Sequence, residues 1–320
     1  MSEKEDEDEN EEDYYETPLE DEELAFEHPS LIKDEETLKA LHTMKAIKTI
    51  QSTNGQAAAN RYIISNNQST LHVMQLFAML KIVAFDDALT VDIGPLFETI
   101  TDLENAPEVM EELYTNPYYA AHLKTRANKQ TIMLGFSDGT KDGGYLMANW
   151  AIFKAKEALT ELSRRYGIDV IFFDGRGGPP ARGGGKTHQF YASLGPTIED
   201  KEIQLTIQGQ TISSNFGTVD SSQYNMEQLI TSGLKNRILS NSEVFNKKNR
   251  KTIEKLSSIS YNSYKDFKSH PSFIPYLEKM STIKYYSKTN IGSRPSKRGL
   301  KGEAFNFDKL RAIPFVGSWN

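Results

Sequence analysis

The stretch TIMLGFSDGTKDGGYLMANWAIFKAKEALTELSRRYGIDVIFF, residues 131–173, decides the fold. Thr131 to Phe136 and Asp169 to Phe173 are short apolar runs of strand length, and a long amphipathic stretch joins them. Between Gly144 and Tyr166, Met147, Ala151, Ala155, Ala158 and Leu162 recur at spacings of four and three, while Lys154, Glu157, Glu161 and Arg165 fall elsewhere around the helix. Gly167 supplies the stop. A strand, a helix that carries the chain back and a second strand make the unit that parallel sheets are built from.

The same alternation extends outward. Tyr62 to Ile64 and Leu89 to Phe97 read as earlier strands, Ile203 to Ser213 as a further extended segment, and Ala312 to Val316 as a last strand. Phe26 to about Gln56 has weak helical periodicity, and the polar stretch from Met226 to about Lys284, with its scattered aromatics, reads as helices. No internal repeat is present. The fold class is therefore α/β and helix-rich.

At 320 residues the chain is long enough to bury a substantial core. Its net charge of -7 is misleading, because the first 24 residues hold 14 acidic side chains and a single lysine, Lys4. Such a segment repels itself and buries almost nothing, so residues 1–27 are expected to be a disordered acidic leader and 28–320 the folded part. Without the first 24 residues, the body carries 30 acidic and 36 basic residues. The arginines of that cationic body lie in glycine-rich or loop-like sequence, which suits small anions better than nucleic acid. The absence of cysteine excludes disulfides, thiolate metal sites and cysteine nucleophiles. Leu71 to Phe85, the longest apolar stretch, is interrupted by His72, Gln75 and Lys81 and is too short to span a bilayer. The acidic N-terminus is no signal peptide, and a cytoplasmic protein with no membrane partner is expected.

Two carboxylates stand at strand ends: Glu98 after Val91 to Phe97, and Asp138 after Ile132 to Ser137. In a barrel of parallel strands that rim is where active sites are built, and two carboxylates there can share one hard divalent cation such as Mg2+. The blander reading of each is a helix cap or a solvated loop residue. Asp138 opens the segment Asp138-Gly139-Thr140-Lys141-Asp142-Gly143-Gly144, in which Lys141 is a candidate for stabilising negative charge on an enolate or phosphate oxygen. Its alternative is a tight turn with a surface lysine and an Asp142 cap.

The most distinctive segment is DGRGGPPARGGGKT, residues 174–187, directly after the strand ending at Phe173. Arg176 and Arg182, held among glycines, can reach a phosphate or carboxylate bidentately, with exposed backbone N–H groups as further donors. Gly185-Lys186-Thr187 matches the end of a nucleotide-binding P-loop, but Pro180 replaces the required first glycine. An RNA-binding arginine-glycine tract would be long, whereas this is one short loop after a strand. A flexible surface loop is the remaining alternative, opposed by the cost of ordering so many glycines. Arg294, in Asn290 to Arg298, and Arg311, in Leu310 to Phe315, each stand beside a turn or strand. None of the six histidines lies in a metal-binding spacing.

Taken in order, Pro95-Leu96-Phe97-Glu98-Thr99, Met133 to Asp138 with Lys141 to Gly144, Gly175 to Gly178 with Arg182 to Gly184, Gly292 to Pro295 and Leu310 to Pro314 resemble phosphoenolpyruvate carboxylase over roughly residues 60 to 320. The resemblance implies part of a TIM-type (β/α) barrel with many additional helices, in a cytoplasmic enzyme that is usually a tetramer. It implies addition of bicarbonate to phosphoenolpyruvate, giving oxaloacetate and phosphate with Mg2+ or Mn2+. By the family's pattern Glu98 and Asp138 hold the metal and Lys141 acts beside the enolate. Arg176 and Arg311 bind phosphate, while Arg182 and Arg294 serve bicarbonate and its carboxyphosphate product.

Three departures stand out: Asp174 where many members have histidine, Ala181 where many have glycine, and Gly139 where serine is common. Asp174 is placed to pair with Arg176. The family's usual chain is much longer, with a catalytic histidine in its N-terminal portion and a helical region beyond this C-terminus. The chain is therefore expected to be truncated at both ends and to act only within a longer or complemented polypeptide. A non-catalytic phosphate- or anion-binding protein is the alternative. An incomplete barrel is also expected to expose apolar strand edges and to associate.

Overall fold

The computed structural model describes residues 34–85, 88–178, 182–207, 209–238, 246–286, 307 and 310–319. Helix α1, Glu35–Asn54, begins where the Asp34 carboxylate accepts the Thr37 N–H at 2.7 Å, and a short 3-10 turn, Gln56–Ala59, leads into strand β1, Arg61–Ile64. Helix α2, Thr70–Ala84, returns the chain to β2, Asp92–Phe97. Helix α3, Ile100–Thr115, starts with a reciprocal cap between Thr99 and Asp102. Helix α4, Pro117–Thr125, follows at once, with Asn116 as its cap and proline at its first position, and leads to β3, Lys129–Gly135.

Helix α5, Phe136–Gly143, then α6, Tyr145–Arg165, carry the chain to β4, Asp169–Gly175. After α7, Thr187–Ala192, comes the last strand, β5, Ile203–Leu205. The remainder is helical: α8, Gln210–Phe216; α9, Val219–Ile238; α10, Lys247–Ser269; α11, Phe273–Met280; α12, Ile283–Tyr286; and α13, Ala312–Trp319.

The five strands form one sheet, all parallel and neighbouring in chain order. Winding never reverses, so every strand end of one kind lies on the same side. The sheet is also rolled. Flat strands about 4.8 Å apart would separate β1 from β5 by roughly 19 Å, yet Arg61 Nη1 on β1 donates to Gln204 Oε1 on β5 at 2.6 Å. Arg61 also lies 3.6 Å from Glu202 and 3.8 Å from Asp92, Arg126 bonds Asp92 at 2.6 Å, and Lys129 bonds Glu202 at 2.6 Å. These charges cross-link the N-terminal ends of the strands.

Ile132, Leu134, Val170 and Phe172 anchor the core from β3 and β4. Helix α6 buries Met147, Ala151, Ala155 and Leu162 as its spacing requires, and also Ile152 and Leu159, because α3 and α10 flank it as well. Phe273, Leu277, Ile283, Leu310, Phe315 and Val316 form a second, smaller core under the C-terminal helices.

Expected strands at 62–64 and 169–173 are present, that at 131–136 ends at Gly135 because Phe136 already opens α5, and that at 89–97 begins only at Asp92. The extended segment expected over 203–213 pairs only as far as Leu205, and Gln210–Phe216 is helical. The strand expected at 312–316 is a helix: Ala312, Phe315 and Val316 are buried at positions i, i+3 and i+4, a helical spacing that a short apolar run conceals. Every residue of the edge strands β1 and β5 is half-buried. Among the described residues no helix is long and apolar enough to cross a membrane. The acidic leader, 1–27, lies outside the described residues.

Candidate active site

Glu98 immediately follows β2, and its carboxylate is buried, with Oε2 accepting the Asn66 N–H at 2.8 Å. Asn66 reaches it by adopting φ 55°, a left-handed conformation that asparagine tolerates and that turns the chain after β1 back across the rim.

The segment 137–144, readable as a tight turn, lies almost wholly in α5, which carries Asp138 and Lys141. Its glycines serve close packing. A β-carbon at Gly139 would stand 3.5 Å from the Glu98 carbonyl oxygen and 3.3 Å from Ala148 Cβ, and one at Gly143 would stand 2.5 Å from Ile100 Cγ1. Helix α5 is thereby pressed onto the backbone of Glu98. Asp142 is a cap, though for the neighbouring helix: its Oδ2 accepts the Ile100 N–H that opens α3 at 2.9 Å. Lys141 is half-buried, with its ammonium 4.7 Å from the Phe307 ring, and its carbonyl accepts Tyr264 Oη at 3.0 Å and Lys268 Nζ at 3.2 Å. Lys268 thus docks α10 on the negative end of α5. Burial, reinforced by Asp142, pushes the Tyr264 hydroxyl well above its ordinary range.

Arg176 follows β4. It is buried, its Nε donates to the Gly183 carbonyl at 2.5 Å, and its guanidinium lies 4.1 Å from the Phe190 ring. Its Nη1 has no hydrogen-bond partner among the described residues. Arg182 returns along the same loop: its carbonyl accepts the Gly177 N–H at 2.7 Å and its Nε donates to Ser137 Oγ, at the start of α5, at 3.1 Å. Burial lowers the pKa of both guanidinium groups, and the Asp138 carboxylate partly offsets this at Arg182.

Glu98, Asp138, Arg176 and Arg182 therefore gather at the C-terminal ends of the strands, around the start of α5, and Lys141 lies on the same short helix with its ammonium against Phe307. Arg311 is half-buried at the start of α13, which packs against α5. Arg294 lies outside the described residues.

Asp174 does not take Arg176 as its ionic partner. Its carboxylate is fully buried, with Lys156 Nζ 2.7 and 2.8 Å from its two oxygens and the Tyr191 hydroxyl donating at 2.7 Å. Lys156 and Tyr191 were not legible as site residues, nor was Phe190. A signal existed for Lys156, which interrupts the otherwise uncharged buried stripe Ile152, Leu159 and Ser163 of α6. Asn67, beside Asn66, was also missed: it is fully buried, and neither carboxamide atom has a hydrogen-bond partner among the described residues.

The residues at hand suit a hard divalent cation. Glu98 and Asp138 offer oxygen donors from adjacent strand ends. Among the described residues no group of three or more histidine, aspartate or glutamate side chains is placed to hold a metal ion. Mg2+ commonly takes one or two carboxylates and completes its shell with water and substrate oxygens, so such a pair fits it better than it fits a metal that needs a full protein cage.

The fold and this strand-end set define an α/β protein with Arg176 and Arg182 at the C-terminal ends of a parallel sheet. Residues 15–320 match the family described as phosphoenolpyruvate carboxylase, and the chain belongs to that family. It is 34% identical over 311 residues to a phosphoenolpyruvate carboxylase of Nitrosomonas eutropha (strain DSM 101675 / C91 / Nm57), a match that covers 93% of this chain and 33% of that protein. The chain thus spans about a third of the length of the curated relative.

Proposed function

We propose that this chain supplies the strand-end part of a site that carboxylates phosphoenolpyruvate with bicarbonate, giving oxaloacetate and phosphate, on a sheet that is part of a TIM-type (β/α) barrel. The observation that carries the reading is Arg176: a buried guanidinium, fixed by Gly183 and Phe190, whose Nη1 has no partner among the described residues. Leaving a charged donor buried and unmatched is costly, and a phosphate oxygen removes that cost. The rolled, singly wound sheet supports the barrel.

In this reading bicarbonate attacks phosphorus and the bond to the enol oxygen breaks, giving carboxyphosphate and the enolate of pyruvate. Carboxyphosphate then releases carbon dioxide and phosphate, and the enolate carbon attacks the carbon dioxide. Arg176 and Arg311 hold the phosphoryl oxygens, Arg182 and Arg294 hold bicarbonate and carboxyphosphate, and Lys141 faces the enolate. Glu98 and Asp138 would hold Mg2+ or Mn2+, which when bound would supply positive charge for the developing enolate oxygen. The apolar surroundings of Arg176 limit water that would otherwise protonate the enolate.

Self-association, as a homo-oligomer, belongs to the same reading: Val219, Ile230 and Ile238 on α9 and Leu256 and Ile259 on α10 are exposed apolar residues that a second copy would cover. No nucleic-acid or membrane partner is proposed, and the cytoplasm is the proposed compartment. A second reading, a non-catalytic phosphate or anion binder, rests on the same Arg176 Nη1, which calls for an anion but not for turnover. Oxaloacetate formation decides between them. It is assayed by coupled reduction to malate, with the chain alone and with the portion of the Nitrosomonas relative that precedes its match. Carboxylation upon mixing supports the enzyme; tight phosphate binding with no oxaloacetate in either arm supports the binder.

A further inference from the structure

Asp174 lies two residues before Arg176, and the chain folds back between them, with the Arg176 N–H donating to the Asp174 carbonyl at 2.8 Å. A buried carboxylate so close to a buried guanidinium is its natural competitor for any bound anion. Two groups from other elements occupy that carboxylate instead: Lys156, from α6, and the Tyr191 hydroxyl, from α7. Lys156 is itself enclosed. Its side chain is 1% exposed, and its ammonium stands 5.0 Å from the Phe172 ring and 5.3 Å from the ring of Phe190. Phe190 also carries the Arg176 guanidinium, at 4.1 Å, so one ring lies against both cations.

We propose that Lys156 is a positioning residue of this site: by neutralising Asp174 together with Tyr191, it leaves the Arg176 guanidinium to an anion of the phosphate class. The proposal rests on the reading of Arg176 as a phosphate ligand. It treats the Lys156–Asp174 pair as a device for ligand affinity, since a buried ion pair is weak evidence for stability alone. Without Lys156, Asp174 would be an uncompensated buried carboxylate, and Arg176 is the cation next in reach. Phosphate would then have to displace an internal ion pair. Neutralising Asp174 in the same chain removes the competitor and should restore the site.

The test is calorimetric titration of the chain with inorganic phosphate in the presence of Mg2+, with folding of each variant checked by circular dichroism. Arg176→Ala is expected to abolish binding. Lys156→Met is expected to weaken it by about tenfold or more, and Lys156→Met/Asp174→Asn to return to within about threefold of the parent, as coupled neighbours do. Tyr191→Phe, which removes only the hydroxyl, gives a variant whose folding is not in doubt and is expected to weaken binding by a smaller factor. Parent-like phosphate affinity in Lys156→Met or in Tyr191→Phe, with Arg176→Ala inactive in binding, would overturn the proposal while sparing the phosphate reading. A double variant as weak as Lys156→Met would overturn it too, since loss of packing rather than competition would then be the cause. Parent-like binding by Arg176→Ala would remove the phosphate reading itself.

Discussion

The backbone of Gly183 passes directly over the ring of Phe136: a β-carbon at Gly183 would stand 2.5 Å from Phe136 Cδ1. The same glycine has φ +77°, and its carbonyl is the acceptor that holds Arg176 Nε. One residue thus ties the end of β3 to the arginine after β4 through both shape and hydrogen bonding.

Gly183→Ala is accordingly expected to cost about 1–3 kcal/mol of stability, from strain and the forced retreat from Phe136. It should also loosen Arg176. Urea unfolding monitored by circular dichroism measures the first effect and phosphate titration the second.

Glu98→Gln keeps an acceptor for the Asn66 N–H but removes the charge. If Glu98 is a metal ligand, Mn2+ affinity should fall by at least about tenfold, because even losses outside the ligand shell reach that scale. Electron paramagnetic resonance of free Mn2+ reads this without any turnover. An unchanged Mn2+ isotherm would take Glu98 out of the site.

Arg182 sits between Ser137 and Asp138, on the bicarbonate side in the proposed mechanism. In a preparation that makes oxaloacetate, Arg182→Ser should release phosphate while diverting enolate to pyruvate. The ratio of pyruvate to oxaloacetate per phosphate should rise, and an unchanged ratio would contradict the role.

His122 is buried against Phe77 and Tyr119, with ring centroids 5.5 and 5.9 Å away, and burial, then the Arg126 charge, pulls its pKa down to about 4. Asp92 opposes this and Lys81 adds to it. The folded state thus disfavours the proton that the unfolded chain takes up near pH 6.5. The stability linked to this group is fully present above pH 6.5 and is lost as pH falls toward 4, a change of about 3 kcal/mol. Denaturant unfolding at several pH values in that window should show the decline, and His122→Gln should flatten it.

Much of this architecture could be read from residue order because its periods are clean. The Met147 to Leu162 spacing and the apolar runs at 131–136 and 169–173 correspond to α6, β3 and β4. Glu98, Asp138 and Arg176 could be placed at strand ends because a strand followed by a charged or glycine-rich residue needs no tertiary information. Ala312 to Val316 misled because five apolar residues fit either period, and only packing on α5 and α12 decides between them. Lys156 escaped notice for a different reason. Its place on the buried stripe of α6 was the local signal, but its partner Asp174 lies 18 residues along the chain, in the next strand, and only the fold brings the two together.

Titration calorimetry of phosphoenolpyruvate with Mg2+ into this chain and into Arg176→Ala tests the central claim most directly. Saturable binding by the parent that disappears in Arg176→Ala is the predicted result. No saturable binding by the folded parent, or equal binding by both proteins, would contradict it.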